Sequence, residues 1–174
     1  AVIEEAKKCS DKVIVIINSD NVMEIGELKD DPEIDAILQV GGTGVYGLYG
    51  VANVITGETS PSGHLVDTYA YSNFSSPASQ NYGDFSFSNY DHTYVVYQEG
   101  IYVGYKYYET RYEDAVMGQG NAVSAAGAVN SEGDWNYQQE IVYPFGYGLS
   151  YTEFTQKITD VSWDTENRTV TVTV

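Results

Sequence analysis

The sequence predicts an α/β fold: a partial α/β/α sandwich with a mostly parallel sheet, followed by the first strand of a separate β-domain. Three observations carry this prediction. Val13-Ile14-Val15-Ile16-Ile17 is an unbroken apolar run flanked by polar residues, the mark of a strand buried on both faces of a parallel sheet. Such runs alternate with helical stretches, an order that implies right-handed parallel crossovers. An aromatic, glycine-rich stretch, Val142 to Phe154, then separates this region from Trp163 to Val174, where Thr and Val alternate with the period of a half-buried strand.

Taken in order, Val2 to Cys9 spaces its apolar residues as an amphipathic helix does. Val13 to Ile17 is the first strand. Met23 to Leu28 forms a short helical connection, ended by Asp31-Pro32. Ile34 to Val40 is the second strand. Gly41 to Gly47 makes a tight loop, and Leu48 to Ile55 a helix closed by Gly57. Thr59-Ser60-Pro61-Ser62-Gly63 turns into a third strand, Leu65 to Tyr71. Ser72 to Asp91 has no clear period and reads as a long surface loop. Thr93 to Tyr97 fits an edge strand. Ala115 to Gln139 is a Gly/Ala/Asn-rich excursion, longer than compact domains usually carry. Trp163 to Val174 is expected as one strand without a partner in the chain.

Composition narrows the function classes. The chain has 174 residues, 43% of them apolar, which suits an ordinary domain with a packed core plus part of a second. A formal charge of −17 excludes nucleic acid and anionic membrane as partners and suits a neutral ligand. Cys9 is the single cysteine, so neither a disulfide framework nor a zinc cluster is expected. No apolar run is long enough to cross a bilayer. The start, Ala1-Val2-Ile3-Glu4, lacks a signal peptide's basic and apolar regions, so the signal of a secreted protein would lie upstream. Seventeen tyrosines are the oddity; tyrosine buries area while keeping a hydroxyl for hydrogen bonding, which suits both loop packing and sugar contacts.

Several motifs carry possible chemistry. Gly42-Thr43-Gly44-Val45-Tyr46-Gly47 satisfies the G-x-G-x-x-G pattern of dinucleotide folds, with Asp67 at ribose distance in sequence. A tight strand-to-helix turn explains the same glycines. Ser62-Gly63-His64 lacks the partners of a hydrolase triad, and His92, the other histidine, is paired with no nucleophile. Glu99, Glu109, Glu113 and Asp114 supply carboxylates of the kind glycoside hydrolysis needs, without a defined separation. Asp160, Asp164 and Glu166 lack the spacing of a calcium loop. Glu132, Asp134 and Trp135 cluster as a sugar subsite does, with carboxylates beside an indole that can stack on a pyranose. They are the candidate substrate-binding residues. Asn73-Phe74-Ser75 and Asn167-Arg168-Thr169 are glycosylation sequons, relevant in a eukaryotic secretory host.

Four stretches are diagnostic when taken together. They are Val13 to Ser19, Ile34 to Gln39 leading into the glycine loop, Val54 to Leu65, and the pair Glu99 to Tyr108 with Pro144 to Tyr151. In order and spacing they resemble the C-terminal α/β domain of glycoside hydrolase family 3, the β-glucosidase and β-xylosidase family. The resemblance implies that residues 1–154 are this domain without its N-terminal part, and that residues 155–174 begin a fibronectin-III-like domain. It further implies a parent enzyme that hydrolyses terminal β-linked glycosides with retention, without a cofactor or metal. The family's nucleophile lies on an N-terminal barrel domain, the implied partner of this segment. Its acid/base usually lies upstream of the strand matched by Val13 to Ser19. No catalytic residue is therefore assigned here, and the segment alone is expected to be inactive. One departure is the loop Gly41-Gly42-Thr43-Gly44, where the family often has Pro-Gly-x-x-Gly. The alternatives are a non-catalytic carbohydrate-binding or scaffold domain and, below it, a nucleotide-binding α/β domain.

Overall fold

A computed structural model describes residues 2–80, 85–97, 99–119 and 135–174. Helix α1 (Val2–Cys9) carries Glu4 and Glu5 in its first turn and Lys7 and Lys8 in its last, the polarity that complements the helix dipole. Lys7 bridges to Asp31 and Glu4, which fastens α1 to the loop after helix α2 (Gly26–Asp30). Strands β1 (Ile14–Ile17) and β2 (Ala36–Gln39) pair in parallel, Ile14 with Ala36 through Ile17 with Gln39. The ladder is extended by Asp35 N–H to the Val13 carbonyl (2.9 Å) and Val40 N–H to that of Ile17 (3.0 Å). Helix α3 (Gly47–Thr56) ends at Gly57, whose φ of 81° is the left-handed cap expected there.

Beyond α3 the structure corrects the sequence reading in several places. The expected third strand shrinks to β3 (Tyr69–Ala70), which pairs antiparallel with β6 (Ile141–Tyr143) rather than joining β1 and β2. Its residues alternate between two cores, so the run Leu65 to Tyr71 is apolar for a different reason. The loop from Ser72 onward contains a 3₁₀ turn (Asn73–Ser75), helix α4 (Pro77–Gln80) and β4 (Phe85–Ser86), which pairs with β5 (Thr93–Tyr94). Helices α5 (Tyr105–Ala115) and α6 (Tyr137–Glu140) were not foreseen. Most of the Gly/Ala/Asn-rich excursion lies outside the described residues.

Trp163 to Val174 is two strands, not one. Strand β7 (Asp160–Asp164) pairs antiparallel with β8 (Thr169–Thr173). The Asp164 carboxylate accepts from the backbone of Glu166 and Asn167 and from the Asn167 side chain at 2.7–3.0 Å, and Arg168 adopts a φ of 53°. Asp and Asn make such turns readily. Among the described residues the mostly parallel sheet is thus one parallel pair beside three antiparallel pairs. The apolar run of β1 is buried on one side only: Val13 and Ile17 are buried, while Ile14 and Ile16 are about half exposed.

The core has two parts joined through β3. Tyr69 packs with Ile17, Ile25 and Val142. Its neighbour Ala70 points the other way, toward Tyr108 and Ile141, as successive strand residues do. The stretch from Val142 onward returns across the molecule. Tyr147 N–H closes a turn onto the Pro144 carbonyl (3.1 Å) with Gly146 at φ 78°, a conformation glycine adopts without strain. Leu65 then exchanges two 2.8 Å backbone bonds with Gly146 and Tyr147. Tyr105 stacks on Phe145, and the Tyr151 hydroxyl donates to the Val54 carbonyl.

Candidate functional site

The densest group of aromatic and charged side chains is built on α5. Gly104 enters the helix at φ 57°, and Asp67 Oδ1 accepts from the first helical amide, Tyr105 (3.1 Å), and from Thr68 (2.8 Å). An acid there satisfies an orphan donor and complements the dipole. Tyr108, Arg111 and Tyr112, spaced as neighbours on one helical face, then turn toward Trp135 and α6. The Arg111 guanidinium lies 5.1 Å from the Trp135 ring centroid, within cation–π range. Tyr137 meets Trp135 and Tyr112 edge-on at 5.8 and 4.8 Å. On the other side, the hydroxyls of Tyr108 and Ser75 share a buried 2.5 Å hydrogen bond.

This environment shifts titration. Burial, then the nearby Glu113, pushes the Glu109 carboxyl up, and Glu109 Oε1 is buried without a hydrogen-bond partner among the described residues. Burial, then Glu109 and Tyr112, raises Tyr137. The hydroxyl of Tyr108 is pushed up to about 12, mainly by burial, against the opposing Ser75 bond. A raised tyrosine keeps its proton in the fold at a pH where the unfolded chain has lost it. Its contribution is therefore intact below pH 10 and lost as pH rises toward 12. Stability should fall over that window by roughly 2 kcal/mol from Tyr108 alone. Urea titrations at about pH 9 and 12 check this, and Tyr108→Phe should flatten the slope.

The sequence-predicted residues fall as follows. Trp135 is 7% exposed with Arg111 over its ring, so in this arrangement it anchors its segment. Glu132 and Asp134 lie outside the described residues. Glu109 and Glu113 are brought together; Asp114 lies on the same helix, and Glu99 precedes it with Oε2 buried and without a hydrogen-bond partner among the described residues. Among the glycines, Gly42 N–H donates to Asp20 Oδ1 at 2.6 Å, which puts a carboxylate where the dinucleotide pattern needs a phosphate. Asp67 caps α5 instead of awaiting a ribose. His64 and Ser62 are exposed, and His92 lies 5.5 Å from Tyr90. Among the described residues no three His, Cys, Asp or Glu side chains gather as a metal site. Sequence reasoning missed Arg111; the signal was the helical spacing of Tyr108, Arg111 and Tyr112 after Gly104.

The fold and site define a mixed α/β region with small sheets, tied together by aromatic packing. The description "Glycosyl hydrolase family 3 C-terminal domain" matches residues 1–105. The chain is 32% identical over 154 residues to a Beta-glucosidase of Ruminococcus albus, covering 88% of this chain and 13% of that protein. It is 32% identical over 152 residues to Beta-glucosidase A of Butyrivibrio fibrisolvens, covering 87% and 15%. A solved beta-glucosidase from Paenibacillus barengoltzii superposes with a TM-score of 0.66 at 29% identity, covering 94% of this chain and 14% of that one. The chain belongs to glycoside hydrolase family 3. It spans only 13–15% of the length of these relatives.

Proposed function

We propose that the chain is a segment of a retaining, β-glucosidase-like hydrolase acting on terminal β-linked glycosides. It supplies structure and sugar contacts, while the two catalytic carboxylates lie elsewhere in the parent. The observation that carries this reading is the match to Beta-glucosidase over 88% of this chain but 13% of the relative. Glu132, Asp134 and Trp135 make the sugar contacts, and Trp135 itself packs against Arg111 of α5. Residues 1–154 belong to the α/β domain, docked on an N-terminal barrel domain, and residues 155–174 open a fibronectin-III-like domain. Supporting the last point, Val161 faces Val172 and Trp163 faces Val170 across β7–β8, which makes one side of the hairpin apolar. A lone two-stranded hairpin is marginal in water, and a second sheet packed on that side would stabilise it.

The test is the full-length enzyme on a nitrophenyl β-glucoside, followed by NMR of the first sugar released. The β-anomer should appear first. Initial release of the α-anomer, or no hydrolysis of any terminal β-glycoside, would contradict the reading.

A further inference from the structure

The hairpin β4–β5 gathers several exposed aromatic rings. Phe85 and Tyr94 are a directly opposed cross-strand pair whose rings stack with centroids 5.5 Å apart and planes 23° from parallel. Phe87, two residues on and therefore on the same face, tilts against Tyr94 at 4.9 Å. The hairpin is closed by Phe87 N–H to the His92 carbonyl (3.3 Å), and at its tip Tyr90 lies 5.5 Å from His92. Cross-strand aromatic pairs stabilise a hairpin, yet these rings are not withdrawn from water. Phe87 is 51% exposed and Tyr90 66%.

From Phe85 to Tyr97 the only formally charged residue is Asp91, in a chain of net charge −17. Apart from Asp91 at its tip, the hairpin is thus an uncharged aromatic stretch in an acidic protein. Ser88, Asn89 and Tyr90, in the turn between the two strands, carry hydroxyl and amide groups. Rigid aromatic anchors among small adaptable polar residues are a recurring binding-surface chemistry. A β-glucoside carries its hydroxyls equatorially, leaving a face of axial C–H bonds that matches the negative face of an aromatic ring.

We propose that Phe85, Phe87 and Tyr94 form a stacking platform for a neutral β-linked saccharide, with Ser88 to Asp91 bonding its hydroxyls. The inference rests on the glycosidase reading for its ligand class, but it concerns binding by residues that reading does not use. The probe is cellobiose, added to the 174-residue chain and followed by saturation-transfer NMR. Transfer should be strongest at the axial ring protons. Phe87→Leu, which keeps apolar bulk and removes the ring, should weaken binding about tenfold. Tyr49→Ala, which removes an exposed tyrosine from α3, should leave it unchanged, and unchanged thermal transitions will show that both variants fold. Absent transfer in the unsubstituted chain, or equal transfer after Phe87→Leu, overturns the proposal. Hydrolysis by the full-length enzyme is measured separately, so failure of the platform leaves the glycosidase reading standing, and the reverse also holds.

Discussion

Trp135→Ala will lower the unfolding free energy by about 4 kcal/mol, the range for deleting a buried tryptophan. Trp135 is 7% exposed, and its ring carries the Arg111 guanidinium on its face and Tyr137 at its edge. Removing it opens a cavity and withdraws the cation–π partner of a buried charge, so cavity and desolvation costs add. Trp135→Phe keeps part of the volume and should cost less than half as much. Urea unfolding of the three proteins makes the comparison. A loss below about 1 kcal/mol for Trp135→Ala, the size of an ordinary surface change, would mean that the indole does not anchor this segment.

Gly148→Ala comes next, at about 3 kcal/mol, the upper end for overpacking a tight site. A Cβ on Gly148 would overlap the Gly63 carbonyl oxygen and stand 2.7 Å from His64 Nδ1. The obstacle is backbone, so no rotamer change relieves it. The segment must lift away, which loosens the paired 2.8 Å bonds between Leu65 and Gly146–Tyr147. A midpoint roughly 6–12 °C lower is expected in thermal unfolding. Gly50→Ala, on α3 with open space around its Cβ, should be neutral or stabilising.

Both effects arise in the aromatic stretch and its neighbours, where the sequence was least explicit. β1, β2, α1 and α3 were legible because their periods are local and their stops are strong: Gly57 ends α3 as a left-handed cap should. The pairing of Tyr69–Ala70 with Ile141–Tyr143 was not legible. It joins residues far apart in sequence, and no local pattern reports a partner at that distance. Reading Trp163 to Val174 as one strand failed because the Thr/Val alternation masked the Asp164–Asn167 turn. Within the site, Trp135 stood out by residue type, but its role did not. Its neighbours Arg111 and Tyr112 come from a helix whose polar sequence hides its buried face. The family was legible because four separated stretches had to agree at once.

The central claim is that this chain belongs to a glycosidase without carrying its catalytic carboxylates. The direct measurement is nitrophenol release from a nitrophenyl β-glucoside by the purified 174-residue chain, beside the full-length enzyme at equal molarity. The account predicts turnover by the full-length enzyme and none above buffer by the chain alone. Turnover by the isolated chain, abolished by Glu109→Gln, would contradict it and place the chemistry on α5.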